Sequence, residues 1–365
     1  MARYDIGRKI ALCLGGAWRA APARIDIDRE TLAHIAPMLI GSGAANLVWR
    51  RLAKTPVGAT PIGNILRDAA RRQAFVAAAR LALLRRVARA FAGDGLSPVL
   101  FKGWALSSAY ADPFLRPLGD LDFFAPPAQY LRACDVLATL GSCVAASDKE
   151  RTYHIPGPGP GGGVHVDMHS TLPSYYWIDP EAFAATAAAS TLSDGTPIRT
   201  PAPELHLRLV VMHFLKHGGW RPLWLCDIAA LTETVGSGFD WQACLTTDSC
   251  AREWMGAALG VAHELVGCRI PEPGLAAKPP SWLTNSILNE WRAPYARRFR
   301  APEFEASAKF LLKKAASYWP NPIEGALKRG AAPTAARPWR SQAAYFVDNA
   351  SRGLGKSMRK IFLQA

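Results

Sequence analysis

Apolar residues recur at helical spacing through the first quarter of the chain. Between Asp28 and Gly93, Val76, Leu83, Leu84, Val87 and Phe91 fall on one stripe while Arg80, Arg85, Arg86 and Arg89 fall on the other, which predicts helices with an arginine-rich exposed face. Gly93-Asp94-Gly95 closes that pattern as a helix cap and loop. From Leu96 the period changes. Pro98-Val99-Leu100-Phe101 reads as a buried strand, Lys102-Gly103 as a turn, Trp104 to Tyr110 as a short helix, and Leu118-Gly119-Asp120-Leu121-Asp122-Phe123-Phe124 as a second strand. Pro126-Pro127 opens a helix that runs to Leu140 and stops at Gly141, a crossover that lets the next strand return to the same sheet. Thr152 to Ile155 and Gly163 to Met168 then read as strands joined by a Pro/Gly loop. Its alternating prolines remove the N–H donors that a phosphate cradle needs, so the loop is a hairpin connection. The helical period resumes from Pro201 to Gly267.

This alternation predicts an α+β protein: a small mixed sheet embedded between helical regions. Residues 1–95 form the N-terminal helical region, 96–177 the α/β core, 178–290 a helical domain completing a cleft, and 291–365 a basic C-terminal helix and tail. A chain of 365 residues, half of them hydrophobic, suffices for such a core. Its apolar runs are interrupted well before the roughly 20 residues that a spanning helix needs. With no convincing cleavage site after Met1, a cytoplasmic location is expected. Seven cysteines without a Cys-x-x-Cys pair argue against a disulfide framework and a zinc ribbon, and Cys134, Cys226 and Cys268 are expected as buried thiols. The formal charge is +14, and residues 291–365 hold fifteen Lys or Arg against four Asp or Glu. Such a tail is either a solvated helical surface or a patch that meets RNA or an anionic membrane. A helix is expected over Phe304 to Trp319.

The candidate chemistry lies in three aspartates. On a strand, side chains two apart share a face, so Asp120 and Asp122 project together, and Asp167 in Val164-His165-Val166-Asp167-Met168-His169 can join them from a neighbouring strand. Mg²⁺ or Mn²⁺ favours such hard oxygen ligands, and carboxylates plus substrate phosphates are the usual set for phosphoryl or nucleotidyl transfer. Asp26-Ile27-Asp28 has the same spacing but precedes a helical pattern, where Asp28 reads as an N-cap and Asp26 as a solvated charge. His213 and His217 are four apart on a helix, yet the residues between them are Phe214, Leu215 and Lys216, so the zinc-protease pattern is incomplete.

Taken together, Lys102-Gly103, Tyr110-Ala111-Asp112-Pro113, Arg116, Asp120-Leu121-Asp122 and Asp167-Met168-His169 resemble the uncharacterised bacterial nucleotidyltransferases of the DNA polymerase β-like superfamily. The wider superfamily carries Gly-Ser or Gly-Gly where this chain has Lys102-Gly103-Trp104. The resemblance implies a polymerase β-like palm, an NTP donor and an acceptor that the sequence does not identify. It implies that Asp120, Asp122 and Asp167 hold metal and carry catalysis. Gly103 gives the backbone room near the phosphates, Lys102 and Arg116 neutralise charge on departing pyrophosphate, and His169 orients Asp167 or contacts substrate. It continues through Trp220 to Ile228, so that His213, Lys216 and Asp227 stand either toward the nucleotide or in a structural hydrogen-bonded network. Tyr110, Asp112 and Pro113 are expected to shape a turn. A catalytically silent module of the same fold, meeting RNA or an anionic surface through its tail, is the competing class.

Overall fold

The computed structural model describes residues 5–158, 162–272, 274–292, 321–345 and 347. The chain opens with helices α1 (Asp5–Leu14), α2 (Arg29–Gly41), α3 (Ala45–Leu52) and the 33-residue α4 (Pro61–Gly93). Asp28 is indeed the N-cap of α2, its Oδ1 accepting the Thr31 N–H at 2.8 Å, and Asp26 is exposed. A seven-stranded sheet follows: β1 (Val99–Phe101), β2 (Leu121–Phe124), β3 (Ser142–Ala146), β4 (Glu150–Pro156), β5 (Gly163–His169), β6 (Ala188–Thr191) and β7 (Pro197–Thr200), in the order β3-β4-β5-β2-β1-β7-β6. The pairs β2–β5 and β1–β7 are parallel and the other four antiparallel, so the sheet is mixed. Between β2 and β3, α5 (Pro127–Leu140) makes the crossover. Beyond the core, α6 (Pro180–Ala185), α7 (Pro203–Lys216), α8 (Pro222–Thr234), α9 (Trp241–Leu245), α10 (Ser249–Val266), α11 (Ser281–Arg292) and α12 (Pro322–Lys328) complete the described elements.

Alternation along the central strands divides the interior into two layers. Leu100, Leu121, Phe123, Val166 and Met168 pack with Leu84, Val87 and Phe91 of α4 and with Cys134 and Leu137 of α5. Val99, Phe101 and Phe124 face the other way into a larger core built on α7, α8 and α10. There Phe183 of α6 meets the rings of Phe101 and Phe124 at 5.8 and 5.4 Å, sealing one end of that face.

Three differences from the sequence reading have physical causes. The sheet continues past residue 177, because β6 and β7 form a hairpin whose β7 pairs with the edge of β1. Both strands are short and made mostly of small or polar residues, with Ile198 the one large hydrophobe, so they carry no hydrophobic alternation that would announce them. Of the α4 arginines expected on the exposed face, Arg86 and Arg89 are exposed and Arg85 is half-buried, and Arg85 and Arg89 also clamp the turn of that hairpin, reaching Asp194 at 3.3 and 2.6 Å. Part of the basic tail belongs to the core. Ile323, Ala326 and Leu327 of α12 are buried, and Trp254 and Trp282 donate their indole N–H groups to Ala331 O and Pro333 O. The helix expected over Phe304 to Trp319, and most of the basic groups of the tail, lie outside the described residues. Cys134, Cys226 and Cys268 are buried free thiols. Among the described residues no helix is long and apolar enough to cross a membrane.

Candidate active site

The middle of the sheet brings the acidic residues together. Parallel pairing sets Asp122 of β2 directly beside Asp167 of β5, and Phe101 of β1 flanks Asp122 from the other side. Antiparallel pairing adds Thr152 and Glu150 of β4 opposite Asp167 and His169. All of these sit on one sheet face, because residues directly opposite on paired strands share a face and Glu150/Thr152 and Asp167/His169 are two apart on their own strands.

Asp122 is the most constrained of the three aspartates. Its Oδ1 accepts from Lys102 Nζ at 2.8 Å and lies 3.5 Å from His169 Nε2. Burial acts to raise its pKa, but the Lys102 ammonium and the His169 contact outweigh that and bring it down to about 2. Asp167 goes the opposite way: burial and the like charges of Asp122 and Asp120 raise it, against a 2.7 Å hydrogen bond donated by the Thr152 hydroxyl. Asp120 stands at the rim, exposed, with its carboxylate 3.9 Å from His165 Nδ1. Among the described residues no three His, Cys, Asp or Glu side chains converge closely enough to hold a metal ion. In this arrangement the counter-charge on Asp122 is the Lys102 ammonium.

A second layer of cationic and aromatic groups stands near Lys102 on the helical side. Lys216 at the end of α7 is lowered by burial and by the neighbouring Lys102 and Lys328 charges. Burial and Lys102 also push His213 well below its ordinary value. The His213 ring lies 4.6 Å from both His217 and Trp224, and its Nδ1 is 3.5 Å from the Tyr176 hydroxyl. Of the two alternatives the sequence leaves for His213, Lys216 and Asp227, His213 and Lys216 lie near enough to Lys102 to feel its charge, whereas Asp227 belongs to a buried hydrogen-bonded network.

One expected site residue, Arg116, is placed otherwise. Arg116 does not face the phosphate side of the cleft: its guanidinium is 8 % exposed and engages Asp227 of α8 through two hydrogen bonds, at 2.7 and 3.0 Å. Tyr110 donates to the same carboxylate at 2.5 Å. Burial opposes the charge of Arg116, and Asp227 more than restores it, so its pKa is raised. Asp112, in contrast, caps the turn as expected, accepting the Phe114 N–H at 2.9 Å. Lys102 has φ 58° and Gly103 φ 41°, a reversal that brings the loop back over β2. A Cβ on Gly103 would sit 3.2 Å from the Asp120 carbonyl oxygen. Thr152, Glu150 and Tyr176 were missed; for the first two, a period-two reading of β4 would have placed them beside Asp167. A cavity of about 400 Å³ lies at the far ends of β2 and β5, bounded by Phe124, Lys149, Thr171 and Asp179 among others, and none of the three aspartates lines it.

An α+β chain whose mixed sheet carries the second aspartate of Asp-x-Asp at the start of one strand and an in-register aspartate on the next has the architecture of a nucleotidyltransferase. Residues 29–267 match the family model described as uncharacterised nucleotidyltransferase, and the chain belongs to that family. Among solved structures it is similar to an antigenic nucleotidyltransferase-like protein from Paracoccidioides brasiliensis, at 15 % identity and a TM-score of 0.40, over 55 % of this chain and 97 % of that one. No curated protein matches.

Proposed function

We propose that this chain transfers a nucleotidyl group from an NTP to a hydroxyl or phosphate of an acceptor, with Mg²⁺ or Mn²⁺ taken up at Asp120, Asp122 and Asp167 together with the nucleotide phosphates, which supply the oxygen ligands that the three side chains alone do not converge to provide. The observation that carries the reading is the register of β2 and β5, which sets Asp122 and Asp167 side by side on one face. Their donor chemistry fits a hard divalent cation: the atoms are carboxylate oxygens, and the burial and like-charge repulsion that together raise Asp167 are what a cation would relieve. When bound, such an ion neutralises phosphate charge and polarises the reacting phosphorus.

The chain's own groups supply the rest. Asp122 stays ionised at neutral pH because Lys102 and His169 stabilise its anion. Asp167 combines a raised proton affinity with a fixed orientation from Thr152, which suits it to take the proton of an acceptor hydroxyl. Lys102, transferred from Asp122 to phosphate oxygen, neutralises charge on departing pyrophosphate. Gly103 keeps side-chain bulk off the turn that borders Asp120. Arg116 acts through Asp227 as a buried brace between the loop before β2 and α8, so the phosphate role expected for it is dropped.

Titration calorimetry with each NTP, with and without Mg²⁺, tests the binding step: metal-dependent binding that weakens in Asp122→Asn and Asp167→Asn is expected. Incubation with a cell extract and α- or γ-labelled NTP tests the reaction. Nucleotidyl transfer labels a product from the α position only. Labelling from the γ position would replace the proposal with phosphoryl transfer, and metal-independent binding would overturn it.

A further inference from the structure

Lys102 adopts a backbone conformation that side-chain-bearing residues rarely hold. Its φ of 58° with ψ −156° lies at the edge of a region left almost entirely to glycine, and such strain persists only where the surroundings over-determine it. Three restraints act on this one residue. The Lys102 carbonyl accepts the Ala105 N–H at 2.8 Å, the ammonium contacts Asp122 at 2.8 Å, and the backbone N–H is donated to Nε2 of His206 at 3.4 Å. The first is local to the turn and the second is given up when the ammonium moves to substrate. Only the third ties the turn to a different layer of the molecule, since His206 stands in the first turn of α7.

His206 is built to accept. It is 4 % exposed, and burial pushes its pKa down to about 4, against an opposing contribution from Asp227. The ring is therefore neutral at pH 7, and a neutral imidazole whose Nε2 accepts carries its proton on Nδ1.

We propose that His206 is a positioning residue of this site: by accepting the Lys102 N–H it holds the strained turn and keeps the ammonium aimed at the carboxylates when Asp122 no longer binds it. The proposal rests on the nucleotidyltransferase reading for its consequence, but its structural content stands apart from it.

The experiment therefore has one structural and one functional arm, on the full chain. Site-resolved amide exchange of Lys102 is compared among wild type, His206→Leu, which fills space without accepting, and His206→Gln, which restores an acceptor. Lys102 exchange at least tenfold faster in H206L, with Val99 to Phe101 unchanged and H206Q close to wild type, is the expected result. In the functional arm, H206L lowers kcat about tenfold with a smaller change in KM for NTP, and H206Q recovers most of it. Should H206L not fold, the ¹⁵N shifts of the His206 ring in the wild-type protein decide: an unprotonated Nε2 at pH 7 is required, and a protonated Nε2 overturns the proposal. Unchanged Lys102 exchange in a folded H206L overturns it too. If wild type binds no nucleotide in the presence of metal, the enzymatic reading fails while the exchange result still settles whether His206 holds the turn.

Discussion

Replacing Asp227 with Asn tests whether the joint between the sheet and the helical layer is as buried as the structure places it. Asp227 is 1 % exposed and receives three hydrogen bonds, two from the Arg116 guanidinium and one from the Tyr110 hydroxyl. The Asn side chain keeps the shape but removes the charge, so the guanidinium, 8 % exposed, loses its only carboxylate partner among the described residues. Breaking a buried pair by removing one partner costs about 3–5 kcal/mol, because the remaining charge is left without compensation. An exposed pair such as Arg132–Asp94, with side chains 59 % and 40 % exposed, is worth about 0.2–1 kcal/mol and serves as the control. The assay is equilibrium unfolding in urea of wild type, D227N, D94N and the double variant R116M/D227L. D227N is expected to lose about 3–5 kcal/mol at unchanged m-value, and the double variant to recover a good part of that, since both desolvated charges are gone. A loss below about 1 kcal/mol, equal to that of D94N, would refute the burial argument.

Other outcomes follow from the same geometry. Gly103→Ala is expected to cost about 1–2 kcal/mol in urea unfolding, because an added Cβ meets the Asp120 carbonyl at 3.2 Å in a left-handed conformation, and to reduce nucleotide binding with it; unchanged stability would mean that the turn is not as described. Stability should fall as pH drops from about 6.5 to 4. The unfolded chain takes up the His206 proton in that window, whereas the folded chain, its imidazole depressed to about 4, does not. The loss from His206 is about 3 kcal/mol, and a pH-stability curve with the same slope in H206Q would contradict it. Asp122, depressed to about 2, adds stability that is present above pH 4 and lost on further acidification through 2, and Lys102→Met should move that loss to higher pH. Truncation before Pro320 removes Ile323 and Leu327 from the core and should cost about 3–6 kcal/mol, seen as a lowered urea midpoint; a midpoint equal to that of the full chain would return residues 321–345 to the status of a solvated tail.

The central strands and the helices beside them were legible because their hydrophobic periods are strong. β1, β2, β4 and β5, the crossover α5 and the caps at Asp28 and Gly141 all lie where pattern and turn chemistry put them. The edge hairpin β6–β7 was not, since these short strands of mostly small or polar residues gain their order from each other and from the pairing of β7 with β1 rather than from a hydrophobic period of their own. The aspartates were readable as a face because strand alternation is rigid, but their partners were not. That Arg116 faces Asp227, 111 residues away, depends on how α8 packs, and no local signal records it. The same holds for His206, an unremarked position in a helical stretch until α7 is set against the turn at Lys102.

The β2–β5 pairing has a consequence for how this chain can vary. Side chains alternate, so sliding β5 by a single position would put Val166 or Met168 beside Asp122 and drive the Asp167 carboxylate into the layer packed on α4 and α5. Such a slip would abolish the site and break the core in one step. Insertions and deletions between the strands are then tolerable only where a loop absorbs them before the ladder begins, and the Pro/Gly connection ahead of Gly163 is such a buffer. The length of that connection can drift during evolution while the alignment of two carboxylates stays fixed, because the oily side of the same strands enforces it.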